Sequence, residues 1–191
     1  MIVKWNLPTY LTQAQVGAFF SVTRSLRDKA LFASIYLYGL RVSEACLLQR
    51  EDVDLERRTI RIWRVKNGYS GEKPLFRTLV PILKRYLRTR TDDNAALFVG
   101  RQGRLSKRWV QALFTRYATL TDLPPNRRHV HTMRHSMATH LLDAGESIDF
   151  LQDHLGHRNI ESSLVYARVS DRRRSKAISR LDRSREIALP A

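Results

Sequence analysis

A chain of 191 residues is long enough for one sizeable domain and short for two, and 43% hydrophobic content argues for a packed core rather than disorder. Lys and Arg number 34 against 18 Asp and Glu, and a net charge of +16 makes an acidic polymer the expected partner, although ribosome association or an anionic membrane surface would share that charge signature. No apolar run is long enough to span a bilayer and the first ten residues lack the apolar core of a signal peptide, so a cytoplasmic, nucleoid-associated protein without a membrane partner is expected.

Thr12 followed by Gln15 has the spacing of a capping box and predicts a short helix with Val16, Phe19 and Phe20 on one side. Leu26 to Tyr38 reads as a stronger helix, stopped by Gly39, and another helix starts near Val42 with Ala45, Leu47 and Leu48. Arg41 therefore falls in the corner between two helices. Cys46, the single cysteine, lies among apolar neighbours and reads as a buried thiol in a reducing compartment. From Thr59 to Val65 apolar and polar residues alternate at period two, Asn67-Gly68 offers a turn, and Leu75 to Val80 is expected as the returning strand. Lys66 closes the first strand, and Pro81 is expected to open a helix to about Arg90.

Beyond Leu97-Phe98-Val99 and a turn at Gly100 and Gly103, a helix is expected over about Ser106 to Leu120, then a break at Pro124-Pro125. A helix from near His131 to Gly145 and short helices around Ile148 to Leu155 and Ile160 to Tyr166 complete the body. The segment from Asp171 to Arg185 is helix-permissive, with Ala177, Ile178 and Leu181 on one stripe. The sum is an α+β, mainly α-helical chain with a small antiparallel β-sheet and no internal repeat.

Six residues spread through these elements can surround a phosphodiester: Arg41, Lys66, His131, Arg134, His157 and Tyr166. Two guanidiniums can hold the charge that builds on equatorial phosphate oxygens through paired hydrogen bonds. A phenol can attack phosphorus, and an amine or an imidazole can protonate the departing oxygen. Taken singly each is weak evidence, since an Arg in a helix corner usually pairs with a carboxylate, here Glu44 or Asp52. The ordered set is the argument. No P-loop is present and no carboxylate cluster suggests magnesium. His131 with His135 and His154 with His157 have metal-ligand spacing, but Thr132 stands where a zinc protease needs Glu, so no metal and no cofactor are expected.

At these residues the chain resembles the catalytic domain of the tyrosine recombinases, the family of phage integrases and Xer recombinases. The resemblance is carried by Tyr38-Gly39-Leu40-Arg41-Val42-Ser43-Glu44, His131-Thr132-Met133-Arg134-His135-Ser136, Ala138-Thr139-His140-Leu141-Leu142, Leu155-Gly156-His157 and Val165-Tyr166. It implies that Arg41 and Arg134 are the two arginines, His131 the first histidine, His157 the His/Trp position, Tyr166 the nucleophile and Glu44 the acid supporting the first arginine. It also implies cutting and rejoining of DNA through a 3′-phosphotyrosyl bond without ATP or metal. A homotetramer on two double-stranded DNA sites, with accessory DNA-bending proteins as possible helpers, would be the assembly, and residues 171–191 would dock on a neighbour.

The hairpin lysine departs from the family's usual turn: Lys66 precedes Asn67-Gly68 and is favoured over Lys73. The catalytic domain is expected over residues 1–170, with residues 171–191 as a tail and without the N-terminal DNA-binding domain that most members carry. That layout is shared by the short fimbrial phase-variation recombinases and by an excised domain of a longer integrase. Without such a domain, Arg101, Arg104, Lys107, Arg108, Arg116, Arg127 and Arg128 are expected to hold the DNA. A type IB topoisomerase-like relaxing enzyme and a non-catalytic DNA-binding regulator are the competing readings.

Overall fold

The computed structural model describes residues 8–65, 68–167 and 178–179. Five helices and the sheets build the first two thirds: α1 (Gln13–Val22), α2 (Leu26–Leu37), α3 (Val42–Leu47), strands β1 (Val53–Asp54), β2 (Thr59–Ile62) and β3 (Gly71–Pro74), α4 (Leu79–Arg88), the ribbon β4 (Val99–Gly100) and β5 (Gly103–Arg104), and α5 (Lys107–Ala118). Three helices follow: α6 (His131–Ala144), α7 (Ile148–Leu155) and α8 (Glu161–Ala167).

Local chemistry sets most of these boundaries as expected. Thr12 and Gln15 close a reciprocal capping box on α1. Gly39 at φ 53° ends α2, and Gly145 and Gly156, also left-handed, end α6 and α7. Phe19 and Phe32 pack edge to face, and Phe19 stacks on Phe114 at 4.8 Å, joining α1, α2 and α5 in the main core. A second, smaller cluster of Ala138, Leu142, Leu151, Leu155 and Tyr166 binds α6, α7 and α8. Cys46 is buried, and burial raises its thiol pKa.

The hairpin differs from expectation. The sheet is three-stranded and antiparallel in the order β1-β2-β3, and β2 pairs with Gly71–Pro74 (Ile60 opposite Lys73, Ile62 opposite Gly71) rather than with Leu75 to Val80. As an edge strand, β3 exposes three of its four residues, so no apolar alternation announces it. The apolar run after it serves a helix: Leu79, Leu83 and Tyr86 form the buried face of α4, which begins two residues before Pro81. Pro81 is tolerated there because first-turn N–H groups have no acceptor within the helix.

No helix among the described residues is long and apolar enough to cross a membrane. Of the stripe expected beyond residue 170, Ile178 is exposed; Ala177 and Leu181 lie outside the described residues.

Candidate active site

Three arginines from different parts of the chain converge on one buried carboxylate. Glu44, in the first turn of α3, accepts the backbone N–H of Arg41 and its Nη1, each at 2.8 Å. It also accepts Arg64 Nη1 at 2.8 Å and lies 3.9 Å from Arg134 Nη1. Burial pushes the Glu44 carboxyl up, but the Arg64 charge and the hydrogen bonds from Arg41 and Arg64 outweigh it and hold its pKa below the ordinary range. Arg41 thus has the carboxylate partner expected of a corner arginine. Its side chain remains about a quarter exposed, so part of its fork still faces outward.

Arg134 rises from the first turn of α6 into the gap between α2 and α7. Its Nη1 donates to Gly39 O, and its Nη2 donates to Leu155 O at 3.0 Å and to His157 Nε2 at 2.8 Å. Only 1% of the residue is exposed, and burial with the charges of Arg64 and Arg41 brings its pKa down to about 10, still cationic at neutral pH. Gly39 is needed here twice over: its φ favours glycine, and a Cβ would run into Leu155 Cδ2.

Because guanidinium N–H groups only donate, His157 Nε2 must accept, and the ring proton sits on Nδ1 and points to Ser163 Oγ at 2.8 Å. Burial, then Arg134 and Arg41, hold His157 down to about 4, so it is neutral. Ser163 lies one turn before Tyr166 on α8. The Tyr166 side chain packs in the second core, 3% exposed, with its hydroxyl 2.8 Å from His135 Nδ1. Burial raises the phenol pKa against the opposing charges of Arg134 and Arg41. His131 is exposed at the start of α6, its ring centroid 4.4 Å from that of His135.

Arg41, Arg134, His157, Tyr166 and Glu44 are therefore brought together, with His131 at the rim beside His135. Lys66 lies outside the described residues, but its flanks stand at the site. Val65 N donates to Glu44 Oε1 at 3.3 Å, and a Cβ on Gly68 would lie 2.7 Å from Gly156 O. Lys73 is bound to Asp153 Oδ2 at 2.7 Å.

Of the expected DNA-facing cations, Arg101, Arg104, Lys107, Arg108 and Arg116 are exposed, and Arg127 and Arg128 are half-buried. Arg104 donates to the carbonyls of Cys46 and Leu47 at the end of α3, Arg127 to Gln15, and Arg128 to Leu123 O.

Two site residues, Arg64 and Ser163, are missing from the sequence reading, and a third, His135, has a different place in it. Arg64, whose side chain is fully buried, bonds Glu44, Tyr38 O at 3.0 Å and His154 O at 2.6 Å. Its signal was available: it continues the inward series Ile60, Ile62, Arg64, and a cation at an inward strand position needs a buried partner. Ser163 could have been found as the residue one turn before Tyr166. His135 stands in the sequence reading within a motif and as half of a pair with metal-ligand spacing, whereas in the structure its Nδ1 lies 2.8 Å from the Tyr166 hydroxyl.

A mainly helical domain that gathers three arginines around one carboxylate, with neutral imidazoles and a buried tyrosine beside them, has the parts for nucleophilic attack on a phosphodiester. Residues 9–173 match the Phage integrase family, and the chain belongs to that family. It is 36% identical over 179 residues to tyrosine recombinase XerA of Pyrococcus horikoshii, covering 92% of this chain and 62% of that protein. It is 32% identical over 185 residues to tyrosine recombinase XerC of Corynebacterium glutamicum, covering 92% and 59%. The chain thus spans about three fifths of the curated relatives it matches. Its fold matches the post-cleavage complex of the XerH site-specific recombinase bound to palindromic difH substrate with a TM-score of 0.76 at 25% identity, over 91% of this chain and 53% of that one.

Proposed function

We propose that this chain cuts and rejoins double-stranded DNA as a site-specific recombinase, with Tyr166 as nucleophile. The observation that carries the reading is the buried Tyr166 phenol, which feels the charges of both Arg134 and Arg41, the two arginines that converge on Glu44, while Arg134 also holds His157. A backbone phosphate admitted beside Arg134 would meet two cations already fixed by other contacts, which lowers the reorganisation needed as negative charge develops. Tyr166 would form a bond to phosphorus and expel the 5′-oxygen, and a 5′-hydroxyl from a second strand would reverse the step. Lys66 is the acid we assign to the departing oxygen, because its flanking residues reach Glu44 and Gly156 while Lys73 is held by Asp153. His131, at the rim, faces the approaching DNA, with Arg101, Lys107 and Arg108 as outlying phosphate contacts. A homotetramer on two sites, with the segment after residue 170 docked on a neighbour, belongs to the same proposal.

The test is a nicked suicide duplex of a cognate site incubated with the protein in EDTA. Covalent protein–DNA product is expected, and Tyr166→Phe should abolish it while leaving DNA binding in place. Covalent product that persists in Tyr166→Phe would overturn the assignment, and relaxation of any supercoiled plasmid without a preferred site would move the reading to a topoisomerase.

A further inference from the structure

One buried carboxylate needs one cation, and Glu44 has three beside it. Arg41 and Arg64 each reach it at 2.8 Å, and Arg134 stands at 3.9 Å. The way Glu44 divides its lone pairs decides which of the three stays available. Its Oε1 accepts Arg41 Nη1 at 2.8 Å and the Val65 N–H at 3.3 Å, and its Oε2 accepts the Arg41 N–H and Arg64 Nη1, each at 2.8 Å. A carboxylate offers about four such positions, so Glu44 is filled without Arg134. Arg134 donates instead to neutral acceptors, Gly39 O, Leu155 O and His157 Nε2. Three guanidiniums against one carboxylate leave two positive charges in a desolvated place, and Arg64 and Arg41 both help to draw the Arg134 pKa down. For stability alone the extra cation is a cost, because buried charge is unfavourable unless paired. For an anionic ligand it is a gain: a phosphodiester carries one negative charge and develops a second as the attacking oxygen bonds to phosphorus.

We propose that Arg64 is a positioning residue for the scissile phosphate: by filling Glu44 Oε2 it keeps Arg134 from closing on that carboxylate and leaves the Arg134 charge for the phosphate. The gap it holds open is small, since Arg134 Nη1 at 3.9 Å from Oε2 is only about 1 Å beyond a hydrogen bond. Arg64 does not touch the substrate. Its side chain is fully buried, and its Nη2 donates to Tyr38 O at 3.0 Å and His154 O at 2.6 Å. Those carbonyls are the chain neighbours of Gly39 O and Leu155 O, which hold Arg134. The ends of α2 and α7, whose last carbonyls have no acceptor role within their helices, thus fix the two guanidiniums side by side. Arg64 and Val65, just beyond β2, thereby set the charge that the phosphate meets.

This inference rests on Tyr166 being the nucleophile, and the experiment separates the two. Covalent complex is followed in single turnover, at saturating protein, on two nicked suicide duplexes. One has the natural scissile phosphate; the other has a methylphosphonate there, which lacks the negative charge that Arg134 is kept for. The reading is the ratio of the two rates within one protein, because a loss of folded protein lowers both alike and cancels. Arg64→Gln removes the charge and keeps hydrogen-bonding groups, and it should lower the ratio of phosphate to methylphosphonate cleavage about 100-fold, the size of one lost charge-stabilising contact. Adding Glu44→Gln to Arg64→Gln takes away the carboxylate on which Arg134 would otherwise close, and should return the ratio towards wild type. If Arg64→Gln yields no folded protein, Arg64→Met carries the same comparison. An unchanged ratio in the single variant, whatever its absolute rate, would overturn the proposal and leave Arg64 a structural ion pair. So would a ratio that stays equally low in the double variant. Tyr166→Phe should form no complex on either duplex. Complex formed there would remove the nucleophile assignment, whereas an unchanged Arg64→Gln ratio would leave that assignment standing.

Discussion

Arg64 shows what a single residue contributes here beyond charge. Its guanidinium joins the hairpin to Glu44, to the end of α2 through Tyr38 O and to the end of α7 through His154 O. Gly156 fits against it only because it lacks a side chain, since a Cβ there would lie 2.8 Å from Arg64 Cγ. Removing one partner of a buried ion pair leaves desolvated polar groups behind. Arg64→Met should lower stability by about 3 kcal/mol, the low end for such a loss because Glu44 keeps Arg41. Urea unfolding would show this as a lower midpoint at unchanged slope. A shift below about 0.5 kcal/mol, the range of an ordinary surface substitution, would mean the pair contributes nothing net.

Among the elements, α8 is docked by two side chains one turn apart: Ser163 accepts from His157 and Tyr166 donates to His135. Seven residues make a helix that is marginal by itself, so tertiary contacts must hold it. Ser163→Ala leaves His157 Nδ1–H without its acceptor in a buried place. It should cost about 1–2 kcal/mol and slow cleavage on the suicide duplex, with DNA affinity unchanged by gel shift. The hairpin teaches the opposite lesson. Period-two alternation identified β2 because that central strand buries one face, whereas β3 stayed illegible because an edge strand of Gly, Glu, Lys and Pro buries almost nothing.

For the whole molecule, the buried histidines set an acid limit. His135, His154 and His157 are each held down to about 4 from an ordinary 6.5, foremost by burial. Between those values the unfolded chain binds protons that the folded chain refuses, so stability is full above about 6.5 and is lost as pH falls toward 4. His154 isolates the effect from chemistry: its Nε2–H donates to Leu37 O at 2.8 Å and its ring stacks between Tyr38 and Phe150. Unfolding free energies measured from pH 7 to 4 should fall steeply, and His154→Gln should flatten the slope by about one proton. An unchanged slope would place the acid response elsewhere.

The sequence by itself determined the helices, the caps at Thr12, Gly39 and Gly145, and the identity of Arg41, His131, Arg134, His157 and Tyr166 as one chemical set. Those depend on local spacing and on side-chain type, which a chain displays before it folds. The tertiary structure alone decided that Arg134 spends its hydrogen bonds on Gly39, Leu155 and His157, that Arg64 completes the cluster on Glu44, and that His135 holds the Tyr166 hydroxyl. These partners stand 20 to more than 90 residues apart in sequence, apart from the His157–Ser163 and Arg41–Glu44 pairs. Only the packing of α2, α6, α7 and the hairpin brings such distant groups within hydrogen-bonding reach, and burial then makes each bond obligatory.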